Sequence, residues 1–183
     1  MQSPSLPSAR ERILDAFVDV LVSGSARSAT LEAVAAAAGV SKGGLLYHFP
    51  SKDALSAGLA ERLDAFMAED IAAIHASPSG AIDYYIRTSI ESGSPFDRTF
   101  VALARLTQDG DAHARAAIGR ARQAWFEAML EHVGDPVTAR IVCLVGDGLY
   151  YDSLQRPAAA SADGVPLDEL IASLQALVER SGR

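Results

Sequence analysis

A chain of 183 residues that is 49% hydrophobic and 21% charged is long enough to bury a core and too apolar to be disordered as a whole. Its formal charge is -7, yet residues 1–62 balance six basic side chains (Arg10, Arg12, Arg27, Lys42, Lys52, Arg62) against six acidic ones (Glu11, Asp15, Asp19, Glu32, Asp53, Glu61), so the excess falls on residues 63–183 and two parts with different partners are expected. The single Cys143 excludes an internal disulfide, and no apolar run suits a secretion signal or reaches the roughly 18 residues of a membrane span, so a soluble, cytoplasmic protein with no membrane partner is expected.

Residues 1–8 are rich in Ser and Pro and are expected to form a disordered tail. Ile13, Leu14, Phe17, Val18 and Leu21 then recur at spacings of three and four, after a Ser8-x-x-Glu11 capping box and before Gly24, which predicts an amphipathic helix over 9–23. Thr30 caps a short helix over Leu31 to Ala38, and Gly39 ends it. Ser41 caps another, to about Phe49. Pro50-Ser51 breaks the chain and caps a longer helix from Lys52 to about His75, with Leu55, Leu59, Leu63, Phe66 and Met67 on one side. Turn punctuation at 77–80, 92–95, 108–111, 134–136 and 157–166 separates further segments of helical length, and no run alternates as a strand would. The fold class is therefore all-α, with about nine helices.

The two short helices carry the functional signal. Val34, the small Ala35, the turn at Gly39, Val40 and then Leu45 suit a helix-turn-helix whose second helix would lie in a DNA major groove. Adjacent glycines inside a helix cost about 1 kcal/mol each relative to Ala. Their presence at Gly43 and Gly44 is explained if the backbone there approaches phosphates and base edges, with Ser41, Lys42, Tyr47, His48 and Lys52 as donors and helix N-termini near Thr30, Ser41 and Ser51 as phosphate sites. From spacing alone, an ordinary helical hairpin remains an alternative. The stretch TLEAVAAAAGVSKGGLLYHFPSKDAL, residues 30–55, resembles the DNA-binding segment of the TetR family of transcriptional regulators. Thr30, Ala38-Gly39-Val40-Ser41, Gly43, Tyr47-His48-Phe49 and Ser51-Lys52-Asp53-Ala54-Leu55 carry the match, which covers about residues 9–62.

That resemblance implies a helix-turn-helix domain over 9–52 and a ligand-binding and dimerisation domain over 53–183. It also implies a homodimer on a palindromic operator in double-stranded DNA, and a small-molecule effector. It carries DNA contacts onto Thr30, Ser41, Lys42, Gly43, Gly44, Tyr47, His48 and Lys52. Leu46 stands where many members have an aromatic residue, and is expected to touch an apolar groove feature such as a thymine methyl. Phe49 is expected to be a core anchor.

The second half offers patterns rather than motifs. Val137, Ile141, Leu144, Gly148 and Tyr151 form one apolar stripe and Leu167, Leu170, Ile171, Leu174, Leu177 and Val178 a second. Two such helices from each of two chains would form a four-helix interface, with Ile141, Leu144, Gly148, Tyr151, Leu170, Leu174 and Leu177 as candidates; the alternative is that both stripes face the chain's own core. Candidate ligand contacts among the large residues are Phe66, Tyr84, Phe100, Leu103, Trp125, Met129 and Tyr150, most of which also suit an ordinary core. Asp147, between two glycines, suits either a solvated face or a cationic ligand. An enzyme is the competing class, but nucleophile-elbow, P-loop and dinucleotide motifs are absent. Asp109 to His113 lacks the remaining ligands of a calcium loop, so no catalytic residue, metal or cofactor is expected. A helical module that does not bind DNA is the third reading. The sequence favours a ligand-responsive repressor.

Overall fold

The computed structural model describes residues 8–155 and 164–181, and apart from Ser8 the expected tail lies outside them. Among the described residues the chain forms nine α-helices: α1 Ala9–Ser23, α2 Leu31–Ala38, α3 Lys42–His48, α4 Lys52–Ala76, α5 Ala81–Thr88, α6 Pro95–Gln108, α7 Ala112–Val133, α8 Pro136–Gln155 and α9 Leu167–Ser181. They divide into two compact units, Met1–Asp64 with Arg98–Gly119, and Ala65–Asp97 with Arg120–Arg183. This division does not follow the boundary at 52/53 drawn from the sequence. It cuts instead through α4, α6 and α7, because long helices pass from one unit into the other.

Local chemistry sets the helix starts in the first unit. Ser8 Oγ accepts from the Glu11 amide at 3.1 Å, Thr30 Oγ1 from Ala33 at 3.1 Å, Ser41 Oγ from Gly44 at 3.0 Å and Ser51 Oγ from Ala54 at 3.0 Å. Each hydroxyl satisfies one of the orphan amides of a first turn. The reciprocal half of the capping box is replaced, because the Glu11 carboxylate pairs with Arg62. Ile13, Leu14, Phe17 and Leu21 of α1, Val34 of α2, Leu45 of α3 and Leu55, Leu59 and Leu63 of α4 are all fully buried, which is the common apolar core that fixes these four helices.

Arg62, Arg98 and Arg105 tie α4 and α6 to α1, with Arg98 pairing with Asp19 at 2.5 Å. Arg62 of α4 reaches Asp15 at 2.7 Å and also the Glu11 carboxylate. Arg105 of α6 donates to the carbonyls of Leu21 at 2.8 Å and Gly24 at 3.0 Å, so a positive charge sits where α1 exposes its unpaired carbonyls and negative dipole end. Gly58 lets α4 pass close to α3's end, since a Cβ there would stand 2.6 Å from the Phe49 ring. Phe49 is buried at 3% exposure, with the Arg10 guanidinium over its ring, as a core anchor should be. At the start of α7, Asp111 Oδ1 accepts from the Ala114 amide and the Ser56 hydroxyl, which makes the Asp109 to His113 stretch a helix cap.

In the second unit Ile74, Tyr85, Ile86, Met129, Ala139, Val142, Ile171 and Leu174 form the core. Arg87 links α5 to α9 by pairing with Asp83 at 3.0 Å and Asp168 at 2.6 Å. Asp147, which the sequence left open to a cationic ligand, pairs with Arg122 of its own chain. No described helix is long and apolar enough to cross a membrane.

The turn between α2 and α3 rests on Gly39, whose φ of 65° and ψ of 34° are left-handed. No atom lies within 4 Å of a Cβ added there, so the cost of a side chain is conformational alone. Gly39→Ala is expected to destabilise the fold by about 1–2 kcal/mol, measured by denaturant unfolding.

Candidate functional site

The outer face of α3 is built from few residues, of which Gly43, Leu46 and Tyr47 are exposed. Tyr47 is 84% exposed and Leu46 37%, with the Tyr47 ring edge-on to His48 at 5.2 Å. Thr30, Ser41, Lys42 and Gly43 are exposed, and Gly44, His48 and Lys52 are partly buried. All nine candidate DNA contacts therefore lie at the N-caps of α2 and α3, on α3 itself and at the first residue of α4, within one unit.

The glycine pair separates into two cases. A Cβ at Gly43 would meet only Ser41 Oγ at 4.0 Å, so nothing inside the chain explains this glycine. At Gly44 the added Cβ would stand 3.3 Å from Ser41 Oγ, the hydroxyl that caps α3 through the Gly44 amide. Gly44 thus has an internal reason, and only Gly43 needs an external one.

The lysines are engaged within the chain. Lys42 pairs with Glu32 at 2.6 Å with both side chains more than half exposed, and its hydrogen bond is the main cause holding the Glu32 carboxyl below the usual range. Such an exposed pair contributes little to stability and exchanges readily for a phosphate. Lys52 Nζ instead donates to the Ala26 carbonyl in the α1–α2 connection. Lys52, expected at a phosphate, also holds the loop that leads into α2. The acidic residues of 1–62 are matched as well: Glu11 and Asp15 by Arg62, Asp19 by Arg98, Glu32 by Lys42, Glu61 by Arg10, with Asp53 beside His113 at 3.3 Å.

On α8 the apolar residues form two opposite faces. Ala139, Val142 and Cys143 point into the core, while Val137 is 67% exposed, Ile141 38%, Leu144 52%, Tyr151 61% and Leu154 47%. Gly148 lies on the exposed side, with no atom within 4 Å of an added Cβ. A helix apolar all round is suited to burial on both sides. On α9 the candidates divide differently: Leu174 is 5% exposed and belongs to the chain's own core, whereas Leu170 and Leu177 are half-buried. The inward face that α9 needs to join its unit is the one that carries Leu174.

The candidate ligand residues also divide. Phe66, Tyr84, Trp125, Met129 and Tyr150 belong to the second unit, Phe100 and Leu103 to the first; Leu103 and Met129 are fully buried core. Phe66, Tyr84 and Trp125 meet through Phe96 and through Asp70, of which only Asp70 was not among the large residues the sequence offered for a cavity. Asp70 accepts from Trp125 Nε1–H at 2.8 Å and from the Tyr84 hydroxyl at 3.3 Å. The Phe96 ring lies 5.9 Å from Phe66 and 6.1 Å from Trp125, and Tyr85 lies 6.2 Å from Trp125. Tyr150 donates to Asp97 at 2.6 Å. Burial pushes the Asp70 carboxyl up, against the opposing hydrogen bonds from Trp125 and Tyr84; burial is also the first cause raising Tyr84, Tyr85 and Tyr150. Nothing in local sequence marks the aromatic partners of Asp70 and Asp97, which stand 14 to 55 positions away.

A family model described as bacterial regulatory proteins, tetR family, matches residues 13–59, and one described as tetracyclin repressor-like, C-terminal domain, matches residues 79–179. The HTH-type transcriptional regulator RutR of Escherichia coli (strain K12) is 38% identical over 97 residues, 49% of this chain and 43% of that protein; RutR of Shigella flexneri matches to the same extent. The chain thus spans less than half the length of these curated relatives. Among solved structures, a TetR-family member from Streptomyces coelicolor A3 aligns with a TM-score of 0.72 at 22% identity, over 92% of this chain and 98% of that one. The multidrug binding protein EbrR, complexed with imidazole, aligns with a TM-score of 0.65 at 22% identity, over 92% and 96%. At these identities the structures show a shared fold.

Asp70 generates a prediction about stability. A carboxyl whose pKa is higher in the folded than in the unfolded chain stabilises the fold below its unfolded value, and that contribution is lost as pH rises through the folded value. Near pH 7 the buried charge is therefore a net cost. Asp70→Asn is expected to raise the melting temperature at pH 7, with the gain shrinking as pH falls towards the ordinary Asp value of about 3.9. Thermal melts across that range check it.

Proposed function

Since the chain belongs to the tetR family of bacterial regulatory proteins, we propose that it is a site-specific transcriptional regulator, a cytoplasmic repressor that a small molecule releases from a palindromic operator. The observation that carries this reading is the outer face of α3, where an 84% exposed Tyr47 stands beside a glycine with no internal reason to lack a Cβ. In this reading Tyr47, His48 and Leu46 face base edges and thymine methyls, Gly43 and Gly44 admit the backbone to the groove, and Thr30, Ser41 and Lys42 hold phosphates. Lys52 contributes chiefly by fixing the approach to α2. Arg98, which lies outside residues 1–62, pairs with Asp19 and so supports DNA approach despite the neutral count of that stretch.

The outward stripe of α8 meets the same stripe of a second copy, with Gly148 allowing close approach and Leu170 and Leu177 of α9 at its margin. Dimerisation has a functional reason, since two recognition helices must reach half-sites about 34–36 Å apart. The effector binds in the second unit, near Trp125. A ligand that favours the DNA-free arrangement weakens DNA affinity by the same factor by which DNA weakens its own binding.

Selection of bound duplexes from a random pool tests the reading: an enriched palindrome occupied by two chains is expected, and no enrichment by a folded, dimeric protein overturns it. On the selected duplex, Gly43→Ala is expected to lower affinity about tenfold or more while raising stability by up to about 1 kcal/mol, because Ala is the better helix former and meets no atom closer than 4.0 Å. Loss of both stability and affinity would assign the glycine a structural role instead. Leu144→Glu is expected to yield a folded monomer in sedimentation.

A further inference from the structure

Two partly buried carboxylates of the second unit have an arginine partner, whereas Asp70, like Asp97 beside Tyr150 and Asp135 beside Thr138, accepts from neutral donors. Asp83 has Arg87 and Asp147 has Arg122. Asp70 has only the neutral donors of Trp125 and Tyr84, and no Lys, Arg or His pairs with it among the described residues. A carboxylate offers about four acceptor positions, and two are filled. The rings nearby add charge of the same sign, because an aromatic face is the negative part of its quadrupole. Phe66 lies one helical turn before Asp70 on α4, and its ring continues through Phe96 to Trp125. Phe66, Asp70, Tyr84, Phe96 and Trp125 are all half-buried: dry enough to strengthen electrostatics, yet not sealed into the core.

An anionic ligand would meet a carboxylate and ring faces, and a neutral one would gain only stacking. We infer that the effector is a lipophilic organic cation, with Asp70 as its counter-charge and the Phe66, Phe96 and Trp125 rings as the surfaces it lies against. This inference deepens the regulator reading and rests on it for the word effector, whereas the binding site itself stands on the geometry. The competing account is that Asp70 serves only to hold Trp125 and Tyr84 in place, which predicts no preference for charge.

The chain has one tryptophan, and it lies at the site, so its fluorescence reports occupancy directly. The probes are tetraphenylphosphonium, a lipophilic cation, and triphenylphosphine oxide, a neutral molecule of similar bulk. The cation is expected to quench the full-length protein and to bind about tenfold tighter than the oxide, with Asp70→Asn removing that preference and leaving the oxide's affinity within about twofold. Phe66→Leu, which touches no hydrogen bond of Asp70, is expected to weaken the cation about threefold or more and serves if the Asn variant does not fold. Absence of cation binding to the wild-type chain, equal binding of the two probes, or an unchanged preference in Asp70→Asn would overturn the inference. The same samples titrated onto a selected duplex separate the two readings. Asp70-dependent cation binding with no duplex ever enriched leaves the cation site standing and removes the regulator. Duplex binding that the cation leaves unchanged removes the effector role.

Discussion

The Arg62 guanidinium is the interaction on which the first unit's arrangement turns. Its side chain is only 12% exposed, and it engages Asp15, the Glu11 carboxylate and the Glu11 carbonyl together. A planar fork suits this task, since two carboxylates on successive turns of α1 present oxygens that one guanidinium can reach at once. The pairing sets α4 against α1 next to the apolar contacts of Leu55, Leu59 and Leu63. It also offsets one of two acidic charges on a surface that would otherwise repel a phosphate backbone. Removal of the arginine would leave Asp15 without its partner and Glu11 with Arg10 alone, so packing and surface potential here depend strongly on one residue.

Helix positions were largely legible in the sequence because their causes are local. Ser8, Thr30, Ser41 and Ser51 each bind an amide three positions on, and Gly39 adopts the left-handed backbone its neighbours avoid. The nine helices and the helix-turn-helix followed from such punctuation with apolar spacing. Apolar spacing alone could not say which partner covers a stripe. Leu144 and Leu174 look alike in sequence, yet one is 52% exposed and the other 5%. Nor could it separate Gly43 from Gly44, whose difference is an oxygen 3.3 Å from one missing Cβ.

The Asp70 network was illegible for a different reason. Its members come from α4, α5, α6 and α7, so no window of sequence contains them. Asp70 reads as one more acid on a helix already holding Glu69 and Asp64. The energetic character of the site follows from that dispersal: a carboxylate is kept partly out of water by four helices, and only neutral donors accompany it. Helical regulators of one fold can thus differ in ligand chemistry through single positions that local patterns do not reveal.

The end of α1 has no basic residue in its own last turn, and the cation that meets its carbonyls comes from Arg105, 81 to 84 positions later. During synthesis the helix-turn-helix emerges long before that partner does. Until α6 is made, that end of α1 lacks the cation that meets its carbonyls, a non-local contact in an otherwise local fold. Segment 9–62, although it carries the whole recognition motif, is in this sense unfinished by itself. Its completion is a checkpoint that ties the DNA-reading surface to the presence of the rest of the chain.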